Sequence, residues 1–491
     1  MRLSFLLLLT ILSCQVSLAS PPPKHEIRGV WITTIYGLDW PTRPATTEAG
    51  WEQQKKELED ILDKLKKANF NTVFLQVRLR GDVIYPSSIE PVNAVFSGKA
   101  GVRPGYDPLA FAIEACHKRG LECHAWFVTF PLGTDRSVRL QGNSSVVKRR
   151  PELCKRHNGE WYLDPGASGT ADYLLSLVKE LVAGYDIDGI HLDYIRYPEQ
   201  ASRFPDKSLH NKYGKNKKLA DWRRENINQL VYRLYDAVKE EKPWVQVSSA
   251  PLGKYSRIEK VPHAGWTAYE SVYQDPQQWI KDGKHDMVAP MMYYQHDNFF
   301  PFVDDWVDNS NGRLIVPGLG AYRMLNKEGD WKLTDITEQI DYSRSYGAAG
   351  CAFFRSTQVT DNMKGLYEKL VADYYTYPAL LPPLHWLSDS IPPAPEEMLV
   401  EKEGDQLKLS WKKTAEEANH TYTIYYAPTD SVRTDLPQHI LATGIRGTTF
   451  YLPVDTTTEM GLSFCITTSN RYHIESQPSR ETYYYLTPHI K

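Results

Sequence analysis

At 491 residues the chain is too long for one ordinary hydrophobic core, and two or three folding units are expected. A formal net charge of −3, with no basic block, argues against a nucleic-acid partner held through phosphates. The 13 Trp and 31 Tyr supply many flat apolar faces, which stack on the C–H faces of sugar rings and also fill cores.

Residues 1–20 read as an export signal. Arg2 gives the positive start, and Leu6 to Leu12 is an apolar run too short to span a bilayer. Ile11-Leu-Ser-Cys14 resembles a bacterial lipobox, which would make Cys14 a lipidated N-terminus and tether the chain to a membrane of the cell envelope. Ordinary cleavage near Ala19 would discard Cys14. The small residue before Cys14 favours lipidation. The remaining cysteines, 116, 123, 154, 351 and 465, form no CxxC pair and no zinc-like spacing with histidine. Buried thiols are therefore expected, with no metal site and no cofactor.

After a short tether at 21–24, apolar strands and amphipathic helices alternate. Strands are expected at 28–34, 72–78, 122–128, 189–194, 245–250, 286–294, 314–319 and 350–355. Helices are expected at 51–70, 107–119, 171–183, 221–240 and 335–346, with a closing helix to about 375. Leu58, Ile61, Leu62 and Leu65 show the helical spacing, and Pro108 and Gly120 bracket the second helix. Eight buried strands alternating with helices predict an α/β fold, a (β/α)8 TIM barrel over 26–377. A doubly wound sheet is the alternative, but neither GxGxxG nor GxxxxGK[ST] is present. Residues 378–395 are proline-rich and read as a semi-rigid linker. Over 396–491 the period changes to two, with strands at 407–411, 422–426, 448–452 and 461–467. A small all-β sandwich is expected there. Trp411, Tyr425 and the stretch from Thr467 resemble a fibronectin type III module.

In a barrel, chemistry sits where strands run into the following loops. The stretch Asp186-Ile-Asp-Gly-Ile-His-Leu-Asp-Tyr-Ile-Arg-Tyr-Pro198 puts Asp193 at such an exit, where a carboxylate must be solvated, paired or used. The other exits carry Tyr36, Asp39 and Trp40; Gln76, Arg78, Arg80 and Asp82; His124 and Trp126; His191 and Arg196; Ser248; Tyr293, Tyr294, Gln295, His296 and Asp297; and Tyr322, Arg323 and Arg355. Together they suit a cleft that hydrogen-bonds a polyhydroxyl ligand. Gln76, Arg78, His124, Trp126, His191, Arg196, Tyr293, Tyr294, Gln295, Tyr36 and Trp40 are the candidate substrate-binding residues. Each histidine could equally be a core residue, and Arg78 and Arg80 could be internal ion-pair partners. A glycosidase needs an acid/base and a nucleophile or activated water. Asp193 is the first candidate carboxylate. Asp297 and Asp82 lead the candidates for the second, followed by Glu90, Asp39, Glu199 and Glu270. A substrate 2-acetamido group held by a tyrosine could replace an enzymatic nucleophile.

Residues 26–360 resemble the glycosyl-hydrolase-like family 10 proteins of the bacterial envelope. The resemblance is carried by Arg28-Gly-Val-Trp31, Gln76-Val-Arg78 with Gly81-Asp82, Tyr85-Pro-Ser-Ser, and His117-Lys-Arg-Gly120 with His124-Ala-Trp126. It continues through Leu163-Asp-Pro-Gly166, Asp188-Gly-Ile-His-Leu-Asp193, Asp221-Trp-Arg-Arg224, Trp279 and Pro290-Met-Met-Tyr293. It implies a (β/α)8 barrel, export, and hydrolysis of glycosidic bonds, with peptidoglycan strands stripped of peptides as the favoured polysaccharide. Two positions depart from the family pattern. Tyr194 stands where a second acid is common, and Met291 stands where glutamine is. The first removes a candidate catalytic carboxylate, so a non-catalytic carbohydrate-binding lipoprotein is the alternative reading.

Overall fold

The structure is a computed structural model that describes residues 22–396, 398–413, 420–429, 431–455, 457 and 459–487. Residues 1–20, expected to be an export signal, and Cys14 within them lie outside the described residues. Eight parallel strands form a closed barrel: Ile27–Ile32, Thr72–Arg78, Glu122–Val128, Gly189–Asp193, Gln246–Ala250, Met287–Val288, a seventh in two pieces, and Gly350–Phe353. The seventh strand closes the sheet. Its first piece, Leu314–Ile315, pairs with Met287–Val288, and its second, Gly318–Leu319, pairs with Gly350–Phe353. Pro317 lies between the pieces and has no N–H to offer, so the ladder is interrupted there.

Backbone space explains two glycines. A Cβ on Gly350 would lie 2.0 Å from the Ile27 carbonyl oxygen, and its φ of +145° disfavours other residues. A Cβ on Gly189 would lie 2.3 Å from the His124 ring, which already fills the barrel interior at that level. The helices form where the sequence can cap and bury them. Thr47 caps Glu48–Lys67, which buries Leu58, Leu62 and Leu65. Asp107 accepts from the amides of Leu109 and Ala110 at the start of Pro108–Lys118.

Three elements differ from expectation. The sixth strand is continuous only over Met287–Val288; Pro290 cannot donate, and past it the pairing resumes as single bridges from Met291 to Leu252 and Gly318. The closing helix breaks into Leu366–Lys369 and a π turn, Leu370–Tyr374. Residues 131–163 build an unforeseen excursion over the mouth of the barrel. It holds three antiparallel strands, Pro131–Thr134, Cys154–His157 and Glu160–Leu163, with the last in the centre. The two-residue turn Asn158-Gly159 has φ of +47° and +85°, as a type I′ hairpin requires.

The opposite end of the barrel is sealed. Leu384 is fully buried in one apolar cluster with Ile27, Phe74 and Met287, and Leu381, Trp386 and Leu387 pack against that cluster. The Trp386 Nε1–H donates to Asp286 at 2.9 Å. The proline-rich segment is therefore a stopper as well as a connection.

Beyond it, Met398–Glu403, Gln406–Trp411 and Thr449–Pro453 form one antiparallel sheet. Ile440–Ile445, Thr421–Ala427, Met460–Ser469 and Thr482–Leu486 form another. Leu407, Leu409, Trp411, Tyr422, Ile424 and Phe464 fill the space between them. Ion pairs tie this all-β unit to the barrel: His473 with Glu122 at 2.6 Å, Arg471 with Asp186 at 2.5 Å and Lys24 with Glu475 at 2.7 Å. The five described cysteines are buried free thiols. No helix among the described residues is long and apolar enough to cross a membrane.

Candidate active site

The strand ends open into a cleft of about 510 Å³ between the barrel mouth and the 131–163 excursion. Trp31, Trp126, Tyr293 and Phe354 make its aromatic walls, and Asp193, Glu160 and Glu199 are the carboxylates that line it. Trp31 stacks on Phe74, with centroids 5.1 Å apart, and Tyr293 stacks on Phe354 at 5.6 Å.

Asp193 is 4% exposed at the end of the fourth strand. The Trp126 Nε1–H donates to its Oδ2 at 3.0 Å, and the Tyr194 amide donates to its Oδ1 at 2.7 Å. Tyr194 has a φ of +49°, an uncommon conformation for a bulky residue, and this turns the chain sharply just past the acid. Burial pushes the Asp193 carboxyl up from 3.8 to about 6, against the opposing pull of the Arg196 charge and the two hydrogen bonds.

His191 lies beneath the cleft. Its Nε2 accepts from the Trp31 Nε1–H at 3.1 Å, and its Nδ1 bonds the Ser248 hydroxyl at 2.8 Å. Burial holds the ring well below the usual histidine pKa, so neutral imidazole orients the Trp31 wall. Gln76 accepts from the amides of Thr34 and Ile35 at 3.1 and 2.9 Å, which fixes the loop after the first strand.

Glu160 stands on the excursion. It pairs with the Arg80 Nη1 at 2.8 Å and accepts from the Tyr162 hydroxyl at 3.0 Å. It lies outside the barrel strand ends, the positions that supply the candidate acids of the sequence. The Asn-Gly turn before Glu160 was the available signal, since it marks a hairpin.

The structure moves several expected site residues elsewhere. Arg78 is fully buried and spends its guanidinium on Glu90, at 2.8 and 2.6 Å, and on the carbonyls of Val128 and Thr129. It is an internal ion pair because its side chain lies under the barrel wall, and Glu90 is removed from the candidate acids by the same contact. Trp40 is fully buried against Phe96 and donates to the Gln54 carbonyl, so it is a core residue. His124 lies deep in the barrel beside Glu122, at 2.9 Å. Asp39 is held by Arg355 and by the Thr33 and Thr357 hydroxyls.

Asp297 is exposed on a short 3-10 turn, and neither it nor Gln295 lines the cleft. Tyr294 packs beneath Lys254, with the Nζ 4.8 Å from the ring centre. Glu270 bonds Ser256 and Thr267 and also lies off the cleft. Tyr36 and Asp82 line an adjoining groove of about 410 Å³ that shares Ile35, Leu79 and Arg80 with the cleft. Asp82 accepts from Asn93 at 2.7 Å and from Gln141 at 3.2 Å.

A closed (β/α)8 barrel with a buried acid in an aromatic-walled cleft suits a protein of the glycosidase type. The family model Glycosyl hydrolase-like 10 matches residues 26–311. The chain is 30% identical to the glycosyl hydrolase YngK of Bacillus subtilis, covering 95% of this chain and 94% of that one. It is 31% identical to the glycosyl hydrolase DigH of Escherichia coli, covering 65% of this chain and 80% of that one. The PgaB (BpsB) glycoside hydrolase domain of Bordetella bronchiseptica shares the fold. Its TM-score is 0.50 at 15% identity, over 72% of this chain and 99% of that one. The chain belongs to the glycosyl hydrolase-like 10 family.

Proposed function

We propose that the protein is an exported glycoside hydrolase that cleaves glycosidic bonds in a bacterial envelope glycan, with peptidoglycan strands as the favoured substrate. Asp193 carries the reading: an acid with a pKa of about 6 at the carboxyl end of a barrel strand, facing aromatic walls. An acid poised there can protonate a leaving glycosidic oxygen and take a proton from water in the return step. Glu160 is the second carboxylate of this proposal, oriented by Arg80 and Tyr162. Trp126 holds Asp193 in place, and Trp31 and Tyr293 give the sugar flat surfaces to stack on. The peptidoglycan preference and the lipid tether rest on the family resemblance and on residues 1–20. The C-terminal strand orders, three and four, support a fibronectin type III-like spacer.

The test is incubation of residues 21–491 with peptide-free peptidoglycan strands and a panel of other polysaccharides, with products read by mass spectrometry. Wild type is expected to release fragments. Glu160→Gln is expected to lower kcat by roughly 10²-fold or more, with a smaller change in KM. Unchanged kcat in that variant removes Glu160 from the reaction. Glycan binding without fragments from wild type would instead establish a carbohydrate-binding protein, a reading favoured by tyrosine rather than an acid at position 194.

A further inference from the structure

Among the described residues four arginines are buried: Arg28, Arg78, Arg196 and Arg223. Three carry a carboxylate: Glu26, Glu90 and Asp206 respectively, each at 2.8 Å or less. Arg196 carries none. It is 6% exposed, and its buried Nε and Nη1 have no hydrogen-bond partner among the described residues. Its guanidinium packs 4.7 Å from the Tyr194 ring centre and 5.0 Å from that of Trp266. Ring contact holds the cation but satisfies no N–H. Donors buried unmet are costly, so the arrangement favours a ligand that completes the guanidinium's hydrogen bonding. Arg196 lines the same cleft as Asp193. A rigid fork of N–H donors matches a carboxylate in geometry and charge, and a neutral hydroxyl in neither.

We propose that Arg196 is a specificity-determining residue that binds a carboxylate carried by the sugar, so that the cleft selects an acidic glycan over a neutral one. The inference rests on the glycan-cleaving reading of the same cleft. It names the substrate class as acidic: either a ring uronate or a carboxylate on an ether side arm, such as the lactyl group of muramic acid.

Binding is the readout, so that this inference and the hydrolase reading can fail separately. The full chain is titrated calorimetrically with four probes: peptide-free peptidoglycan oligomers, the same oligomers with their carboxyls reduced to alcohols, oligogalacturonate, and chitin tetramer. The acidic probes are expected to bind roughly 10- to 100-fold more tightly than the neutral ones, the range of a charge-assisted hydrogen bond. Tighter binding of the peptidoglycan oligomer places the carboxylate on the side arm; tighter binding of oligogalacturonate places it on the ring. In Arg196→Gln the acidic-to-neutral ratio is expected to fall towards one, and Arg196→Lys is expected to keep part of it. Three outcomes overturn the proposal: equal affinity of wild type for acid and reduced oligomer, a ratio unchanged in Arg196→Gln, or no binding of either acidic probe. A changed pH profile with an unchanged ratio would leave Arg196 only as a charge acting on Asp193, which also overturns it.

Discussion

Asp193→Asn is expected to abolish glycan cleavage, by roughly 10³-fold or more, and at the same time to stabilise the fold at alkaline pH. The two effects have one cause. Burial lifts the carboxyl from 3.8 to about 6, so the native state holds the proton more tightly than the unfolded chain does. A native pKa above the unfolded one gives stability that is fully present below pH 4 and is lost as the pH rises through about 6. At pH 8 the ionised, buried Asp193 then works against folding by on the order of 3 kcal/mol. Asparagine removes that charge. It keeps an acceptor for the Tyr194 amide but turns a donor towards the Trp126 indole, which returns about 1 kcal/mol of the gain. A net stabilisation of roughly 1–2 kcal/mol at pH 8, turning into a net loss of up to about 1 kcal/mol near pH 4, is expected in denaturant titrations. A variant that still cleaves glycan, or that is less stable than wild type at pH 8, contradicts this role for Asp193.

Arg78 yields the other large effect, on stability. Among the described residues, Arg78→Met alone leaves the buried Glu90 carboxylate with the Tyr173 hydroxyl, which donates to it at 2.9 Å. Breaking a buried pair from one side typically costs about 3–5 kcal/mol. Urea unfolding of Arg78→Met, and separately of Glu90→Leu, is expected to show losses of that size. The double variant should recover most of the loss, because neither charge then remains buried alone. A binding role predicts the reverse pattern, a raised KM on an unchanged fold.

These contrasts mark what was legible in the sequence. The barrel was readable because its strands are continuous apolar runs and its helices carry period, caps and stops together, as in Asp107-Pro108 with Gly120. The ends of Thr72–Arg78 were not readable in function. Gln76 and Arg78 both lie at one strand exit, yet the structure sends Gln76 to the cleft and Arg78 to Glu90, twelve residues on. Period two would place both on one face, but the register with the third strand shifts between Gln76 and Arg78, an irregularity the alternation alone does not reveal. Trp40 shows the same limit: nothing local distinguishes a tryptophan that walls a cleft from one that packs on Phe96. Glu160 and Trp266 stand outside the strand–helix alternation, in segments whose positions depend on the finished barrel. The seventh strand was legible as one run, but its split at Pro317 became visible only with both neighbours in place.

The stopper at 380–387 has a consequence for how this chain can be cut. Removing everything after residue 377 would take Leu384 out of the apolar cluster that holds Ile27, Phe74 and Met287. Such a fragment is expected to lose solubility, whereas one that ends just before Met398 keeps its plug. Calorimetry of the two fragments separates these cases. The C-terminal unit is therefore not a freely exchangeable bead on a string. Any fusion or module swap must carry residues 380–387 with the barrel, and the seam for engineering falls after the prolines rather than before them.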